Sequence, residues 1–450
     1  MTAVASTAWR NRWQDGLLYG GLGLPLAFVA LPLYVLLPDH YARQFGMPLT
    51  SLAGVLLGAR LLDAFTDPLI GRWVDAWLNR SPASAWWAAW PAAVALLLGF
   101  WALFFPPIAL TGSAAGLLAW CAGALVVTYL GFSVLTVLHQ AWGARLGGDE
   151  VQRVRIVAWR EGLALVGVLV ASVLPSMTNL SVMVACFGVL LAVALGALGR
   201  GPRPEAAPAT APGLWREDLG RPWRNPGFLR LLPVFLLNGI AMAMPANLML
   251  FFVQDRLQAP TQVPLFLAAY FAAAALSTPI WSALVRRLGL VRCWALGMAL
   301  SVVAFLGTAW LGAGDVVAFT VVCLFSGIAL GADLALPGAL LAGVIQQAQH
   351  QQAEGAYFGW WNFATKLNLA LAAGVSLPVL AWLGYAAGRQ DPDALQALTA
   401  AYCVVPCLLK VGAGALLALW WRRPAAAMLP TSASSSSLSS SPVPPTETSP

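Results

Sequence analysis

The sequence predicts an all-α integral membrane protein with twelve transmembrane helices arranged as two six-helix bundles. Of its 450 residues, 60% are hydrophobic and only 10% are charged, and the mean hydropathy is +0.75. Soluble domains carry roughly 25% charged residues. The apolar stretches are long and unbroken rather than alternating with period two, which favours helices over an outer-membrane barrel. One Pro- and Arg-rich break near the middle divides them six and six.

At about 20 residues per crossing, the first six segments run over 16–38, 50–70, 85–105, 113–137, 157–177 and 180–198, so 1–199 is the N-terminal bundle. Arg10 and Arg12 precede an apolar segment too long for a signal-peptide core, and the first helix is expected to stay. Residues 200–226 are rich in Pro, Ala and Arg, with acidic Glu205, Glu217 and Asp218, and read as a soluble cytoplasmic linker. The second six segments run over 228–253, 263–285, 293–311, 316–345, 360–383 and 398–421, within a C-terminal bundle 227–423. The Ser- and Pro-rich tail 424–450 is expected to be disordered and cytoplasmic.

Loop charges give direction. With the termini, the linker and the even-to-odd loops on one side, nineteen Lys/Arg fall there, against Arg43, Arg256 and Arg389 opposite. That asymmetry predicts both termini in the cytoplasm of a cell (inner or plasma) membrane. The net charge of +7 is read as this bias, so no nucleic-acid partner is expected. The expected partners are the bilayer and a small-molecule substrate, and the chain is expected to be a monomer. Six cysteines lie in or beside apolar segments without a CxxC pair; Cys403 and Cys407, at i, i+4, read as packing, and no metal or cofactor is expected.

Charges inside the helices are the informative exceptions, because one at mid-bilayer costs about 2.5–3.5 kcal/mol on insertion scales. At about 100° per residue, Arg60, Asp63 and Asp67 share one stripe of the second helix, which therefore faces a polar interior. A plainer reading has Arg60 neutralise Asp63 while Asp67 caps the helix. The other intramembrane basic residues are Lys366 and Lys410, the only lysines in the chain. Lys366 reads equally as a structural ion pair or a coupling group, and Lys410 as packing or snorkelling. A faint repeat sets Thr66-Asp67-Pro68 against Ser277-Thr278-Pro279, with the acid only in the first copy.

Several of these stretches carry a family resemblance. The run RLLDAFTDPLIG from Arg60 to Gly71, continuing into GRWVD, resembles the helix-two signature of the glycoside-pentoside-hexuronide:cation symporters, the melibiose-permease branch of the major facilitator superfamily. GGDEVQRVRIVAWREG resembles that family's fourth loop and helix-five arginine. GADLALPGALLAGVIQQ and EGAYFGWWNFATKLNLALAAG resemble its helix-ten and helix-eleven blocks. The resemblance implies the major facilitator fold and secondary symport, with Asp63, Thr66 and Asp67 binding the coupling cation. Oxygen ligands at i, i+3 and i+4 suit Na+, and two close carboxylates equally suit H+. It further implies a substrate or gating role for Arg160, with a structural role beside Glu161 as the alternative, and a coupling role for Lys366. Arg72, Asp75, Arg153 and Arg155 read as cytoplasmic gate charges or as solvated loop charges.

The departures bear on cargo. Where the melibiose carriers have a Lys-Asp pair on helix one, this chain has Leu26 and Ala27, and Leu135 or Thr136 replaces the helix-four acid. Helix ten has Gly343 and Gln346, leaving Asp333 as its one acid and a candidate partner for Lys366, with packing as the alternative. A melibiose-like sugar is therefore disfavoured, and an amphiphile such as a lysolipid becomes the runner-up. Tyr19, Trp142, Tyr357, Trp360 and Trp361 are expected either to line a cavity or to form the interfacial belt. His139 reads as polar packing or a substrate contact. The absence of a GxxxxGK[ST] loop points to an ion gradient as the energy source. The scattered histidines His40, His139 and His350 argue against an intramembrane lipid-modifying enzyme, and two bundles with one charged cluster fit a carrier better than a channel.

Overall fold

A computed structural model describes residues 9–204, 215–385 and 391–421; the tail 424–450, linker residues 205–214 and Arg389 lie outside the described residues. The first crossing is broken: α1 (Trp13–Gly20) and α2 (Gly23–Leu31) meet at 41°, and a π-helical turn over Pro32–Leu36 leads into α3 (Leu37–Phe45). Proline lacks the N–H that a regular helix needs there, which accounts for the irregular turn. The first half continues with α4 (Leu49–Arg80), α5 (Pro82–Phe104), the short α6 (Ile108–Thr111), α7 (Ala114–Arg145), α8 (Glu150–Met177) and α9 (Leu180–Arg200). After α10 (Trp215–Arg224) come α11 (Pro226–Phe251), α12 (Val263–Leu288), α13 (Leu290–Leu306), α14 (Val316–Gln347), α15 (Glu354–Trp382), α16 (Pro392–Thr399) and α17 (Val405–Trp421).

Ten of these helical runs are long and apolar enough to cross a membrane, and the bent α1–α2 pair makes eleven. The remaining long helix is α4, whose hydropathy is lowered by Arg60, Asp63, Asp67, Arg72 and Asp75. The chain is thus a multi-pass helical membrane protein. Helices α4, α7 and α8 run past the apolar stretches that predict them, because their ends project beyond the hydrocarbon. Polar residues stop them there: the Ser81 hydroxyl caps α5 and the Asp149 carboxylate caps α8, each accepting a backbone N–H of the first turn.

The helices approach closely where glycine removes the side chain. A Cβ on Gly20 would stand 2.7 Å from the Trp159 carbonyl oxygen and one on Gly23 2.5 Å from that of Arg160, so the first crossing lies directly on α8. A Cβ on Gly71 would stand 2.0 Å from the Gly355 oxygen, and one on Gly359 2.5 Å from the Asp67 oxygen. Helices α4 and α15, one from each half, therefore cross with their backbones in contact. Helix α8 also packs across the halves, against α12 and α14.

That crossing lies toward the linker end, where Ser81, Gly147, Gly289 and the turn before α15 are found. One apolar cluster joins Leu22, Phe28 and Leu135 of the first half to Trp281, Leu336 and Trp361 of the second. Of the aromatics expected at a cavity or a belt, Tyr19, Trp142, Tyr357 and Trp361 are buried and Trp360 is half-buried, and three of the five hold the linker. Trp142 Nε1 donates to the Pro202 carbonyl at 3.0 Å and Trp360 Nε1 to that of Leu219 at 3.1 Å. The Asn225 amide donates to Tyr357 Oη at 2.8 Å, and Tyr357 Oη lies 2.7 Å from His350 Nδ1. Tyr19 is fully buried, and Trp361 stacks on Phe235 with ring centres 3.8 Å apart.

Burial, and then the nearby positive charge of Arg221, hold the His350 imidazole below its ordinary pKa of 6.5. The neutral ring is the form that accepts from Tyr357. A lowered folded pKa contributes stability that is present above the unfolded value and is lost as pH falls through and below it. Thermal stability of the purified protein is therefore expected to drop on acidification below about pH 6.5, and His350→Gln should flatten that part of the profile in a melting series across pH.

Candidate functional site

Asp63 and Asp67 sit one turn apart on α4 with both carboxylates buried. Lys366 of α15 lies between them: its Nζ is 2.6 Å from Asp63 Oδ2 and 2.7 Å from Asp67 Oδ2. Ser133 of α7 completes the group, donating to Asp63 Oδ1 at 2.7 Å and lying 3.0 Å from the ammonium. Thr66 Oγ1 donates to the Asp63 backbone carbonyl at 2.9 Å, and that carbonyl also lies 3.4 Å from Lys366 Nζ. Five oxygens thus surround one ammonium, which stands where a metal cation of the same charge would find a similar shell. Two carboxylates against one lysine leave this trio with one net negative charge. Because α4 and α15 belong to different halves, the same contacts pull the halves together.

About two to three turns toward the linker end, a second polar group crosses the same interface. Asp75 of α4 caps the start of α15, accepting from the Gly355 N–H at 2.7 Å and the Ala356 N–H at 2.8 Å. The positive end of the α15 dipole adds to that attraction. Arg145, at the end of α7, joins the group: Nε donates to Glu354 Oε2 at 2.8 Å, Nη2 to Asn79 Oδ1 at 2.8 Å, and Nη2 lies 3.4 Å from Asp75 Oδ1. Asn79 Nδ2 in turn donates to the Gln352 carbonyl at 3.0 Å. Glu150, at the start of α8, accepts from the Leu290 N–H at 3.1 Å and so caps α13. Arg153 donates to the Gln346 side chain. With two helix ends of the second half held by carboxylates of the first, the interface is closed at the linker end.

The structure distributes the other sequence candidates more widely. Arg60 is exposed although it stands only about 20° from Asp67 around the helix; it lies about two turns farther from the linker-end crossing of α4 and α15. Arg160 is mostly buried and donates twice to Glu161, at 2.9 and 2.7 Å. His139 staples the first crossing to α7: its Nε2 lies 2.8 Å from the Tyr19 carbonyl, and the Tyr19 hydroxyl donates to its own carbonyl at 3.0 Å. Arg72 lies one turn from Asp75, half-buried. Arg155 lines a groove of about 570 Å³ between α8 and α12. Asp333 does not pair with Lys366, because α14 directs it into its own bundle. There it meets Lys410 at 2.7 Å, while Asn238 and Trp294 donate to its other oxygen at 3.0 Å each. This also corrects the reading of Lys410, which is buried in an ion pair rather than snorkelling. Ser277 and Thr278, the counterparts of Thr66 and Asp67, turn their hydroxyls to the Ala274 carbonyl.

Sequence reasoning missed Ser133, Arg145, Glu354 and Glu150. Ser133 is one of several hydroxyls in an apolar run, and the other three sit at helix ends where charge is ordinary. Only Ser133 carried a usable signal, as a polar side chain at mid-helix in a membrane segment.

A family model described as MFS/sugar transport protein matches residues 16–420. Among curated proteins, the chain is 25% identical over 245 residues to the inner membrane symporter YicJ of Escherichia coli (strain K12), covering 51% of this chain and 52% of that protein. It is 27% identical over 230 residues to the sphingosine-1-phosphate transporter MFSD2B of Mus musculus, covering 49% and 46%. The chain thus spans about half the length of the curated relatives it matches. Among solved structures, a bacterial homologue of the iron transporter ferroportin in an outward-facing state superposes with a TM-score of 0.66 at 18% identity, over 92% of this chain and 100% of that one. The transporter FucP in its outward conformation gives 0.66 at 13% identity, over 90% and 98%. These likenesses are of fold.

Removing Lys366 alone strands two buried carboxylates. Lys366→Met is expected to destabilise the protein by about 3–5 kcal/mol, read as a lowered melting temperature in detergent. The triple variant Asp63→Asn, Asp67→Asn, Lys366→Met should recover most of that loss.

Proposed function

We propose that this chain, which belongs to the MFS/sugar transport protein family, is a secondary transporter that couples a small organic solute to Na+ or H+ by alternating access. The observation that carries the reading is the charge count between α4 and α15: two buried carboxylates and one ammonium leave room for exactly one further positive charge. An ion gradient is the energy source, and the linker end faces the cytoplasm, as the loop arginines direct.

The coupling is a competition. With no ion bound, Lys366 is attracted by both carboxylates and holds α15 on α4. A cation or proton on Asp63 and Asp67 weakens that attraction, since the two carboxylates then present one net negative charge to the lysine instead of two. The caps by Asp75 and Glu150 hold the linker end shut while the opposite end admits cargo, and they must release for it to leave. Thr66 supplies a further ligand oxygen, Arg160 and His139 fix the first crossing and α8 beside the path, and Arg72 and Arg153 serve the gate.

A second reading of the cargo has its own observation. The groove between α8 and α12 has apolar walls with Trp13 and Trp159, and it carries Arg155 and Arg286, which have no partner among the described residues. Such a surface suits the acyl chain and anionic head of a lysolipid-like amphiphile, and a sphingosine-1-phosphate carrier is among the relatives. The missing Lys-Asp pair at Leu26 and Ala27 and the missing helix-four acid at Leu135 or Thr136 agree with that.

In proteoliposomes, Asp67→Asn is expected to lower gradient-driven accumulation roughly tenfold or more while exchange of cargo in the absence of a gradient persists. Accumulation by the variant at the parent level would place the coupling ion elsewhere. Running the assay with a labelled sugar and with a lysophospholipid, each with and without Na+ and pH gradients, separates the two cargo classes and the two ions.

A further inference from the structure

The second half contains a buried polar group that plays no part in the α4–α15 interface. Asp333 of α14 and Lys410 of α17 are both buried and 2.7 Å apart. They stand at one end of a cavity of about 140 Å³ enclosed by α11, α12, α13, α14 and α17. Its walls are otherwise largely apolar, with Met242, Phe305 and Leu330 among them. It lies inside one bundle, whereas the Asp63–Asp67–Lys366 group lies between the two.

The donors at the polar end are incompletely used. The carboxylate of Asp333 is fully served, by Asn238 and Trp294 on one oxygen and Lys410 on the other. Lys410 has three N–H donors and meets only Asp333 among the described residues. The Ser301 hydroxyl, 5% exposed, also faces the cavity with no partner among the described residues. Beside it the chain is irregular: Ala400–Val404 is a π-helical turn that sets Tyr402 into the wall. Such turns interrupt helices mostly at functional positions.

We propose that this cavity is a second binding site, for a small uncharged molecule with an apolar body and one hydrogen-bond-accepting oxygen, such as a short-chain amide, ketone or ester. The charge follows from the pair: Asp333 and Lys410 cancel, and a carboxylate ligand reaching the ammonium would meet the Asp333 carboxylate. The oxygen accepts from Lys410 Nζ and Ser301 Oγ. Water satisfies the polar end but not the rest, because a buried water needs two to four polar partners and the remaining walls supply few. An apolar cavity of about 150 Å³ takes up benzene, which sets the scale of the apolar body.

The probe is a hexanamide bearing a terminal diazirine, photolysed with the purified full-length protein, the adducts being located by peptide mass spectrometry. Saturable labelling within 241–249, 319–330 or 400–407 is expected. Cys323→Trp, which fills the cavity, should lower it roughly tenfold; if that variant does not fold, Ser301→Leu replaces it. The paired variant Asp333→Asn, Lys410→Met removes both charges together and is expected to raise the half-saturating concentration about tenfold, the worth of one hydrogen bond to a charged donor. Labelling spread over lipid-facing positions such as Leu276 and Leu408 and unchanged by the filling variant would overturn the site. An unchanged half-saturating concentration in the paired variant would overturn the assigned orientation of the oxygen.

Discussion

Lipid offers no partner to a charge, so each ionised side chain in a bilayer-spanning helix has to find its complement in another helix. In this chain that requirement ties together the parts that hydrophobicity leaves undetermined. Apolar side chains are as well solvated by lipid tails as by each other, and the hydrophobic effect by itself does not select which helices adjoin. The ammonium of Lys366 between Asp63 and Asp67 selects α15 as the neighbour of α4. The ammonium of Lys410 likewise reaches from α17 to Asp333 of α14 within the second half. One ion-paired group is shared between the halves and the other lies within one half.

The two halves do different work although they are built alike. In the first, α4 presents two acids at the turn where α12 of the second presents Ser277 and Thr278, whose hydroxyls fold back onto their own helix. The paired carboxylates are therefore one-sided, and the second half contributes the lysine that meets them. At the linker end the division is reversed in kind: the first half supplies the carboxylates of Asp75 and Glu150, and the second supplies bare helix ends at α15 and α13.

The helical crossings were legible from the sequence because a run of apolar residues has a length that the bilayer fixes. The acids of α4 were legible because a charge in such a run is costly wherever it goes. What pairs with what was not. Lys366 and Lys410 are both single lysines inside apolar helices, and Asp333 is equally available to either on composition; only the direction in which α14 turns Asp333, into its own bundle, decides between them. The angular reading of Arg60 with Asp63 and Asp67 fell short for the same reason, because how far along a helix an interface reaches is set by the neighbour and not by the helix itself. Glu354, Arg145 and Glu150 lay at helix ends, where the sequence cannot separate a solvated charge from one that caps a helix of the other half.

The crossing at Gly71 and Gly355 makes the closed end a matter of main chain touching main chain, backed by carboxylates on helix ends. Such an end depends on backbone shape and on two caps, and hardly at all on the side chains elsewhere in the bundles. Substitutions in the rest of the interior can therefore accumulate over evolutionary time while this end is inherited unchanged.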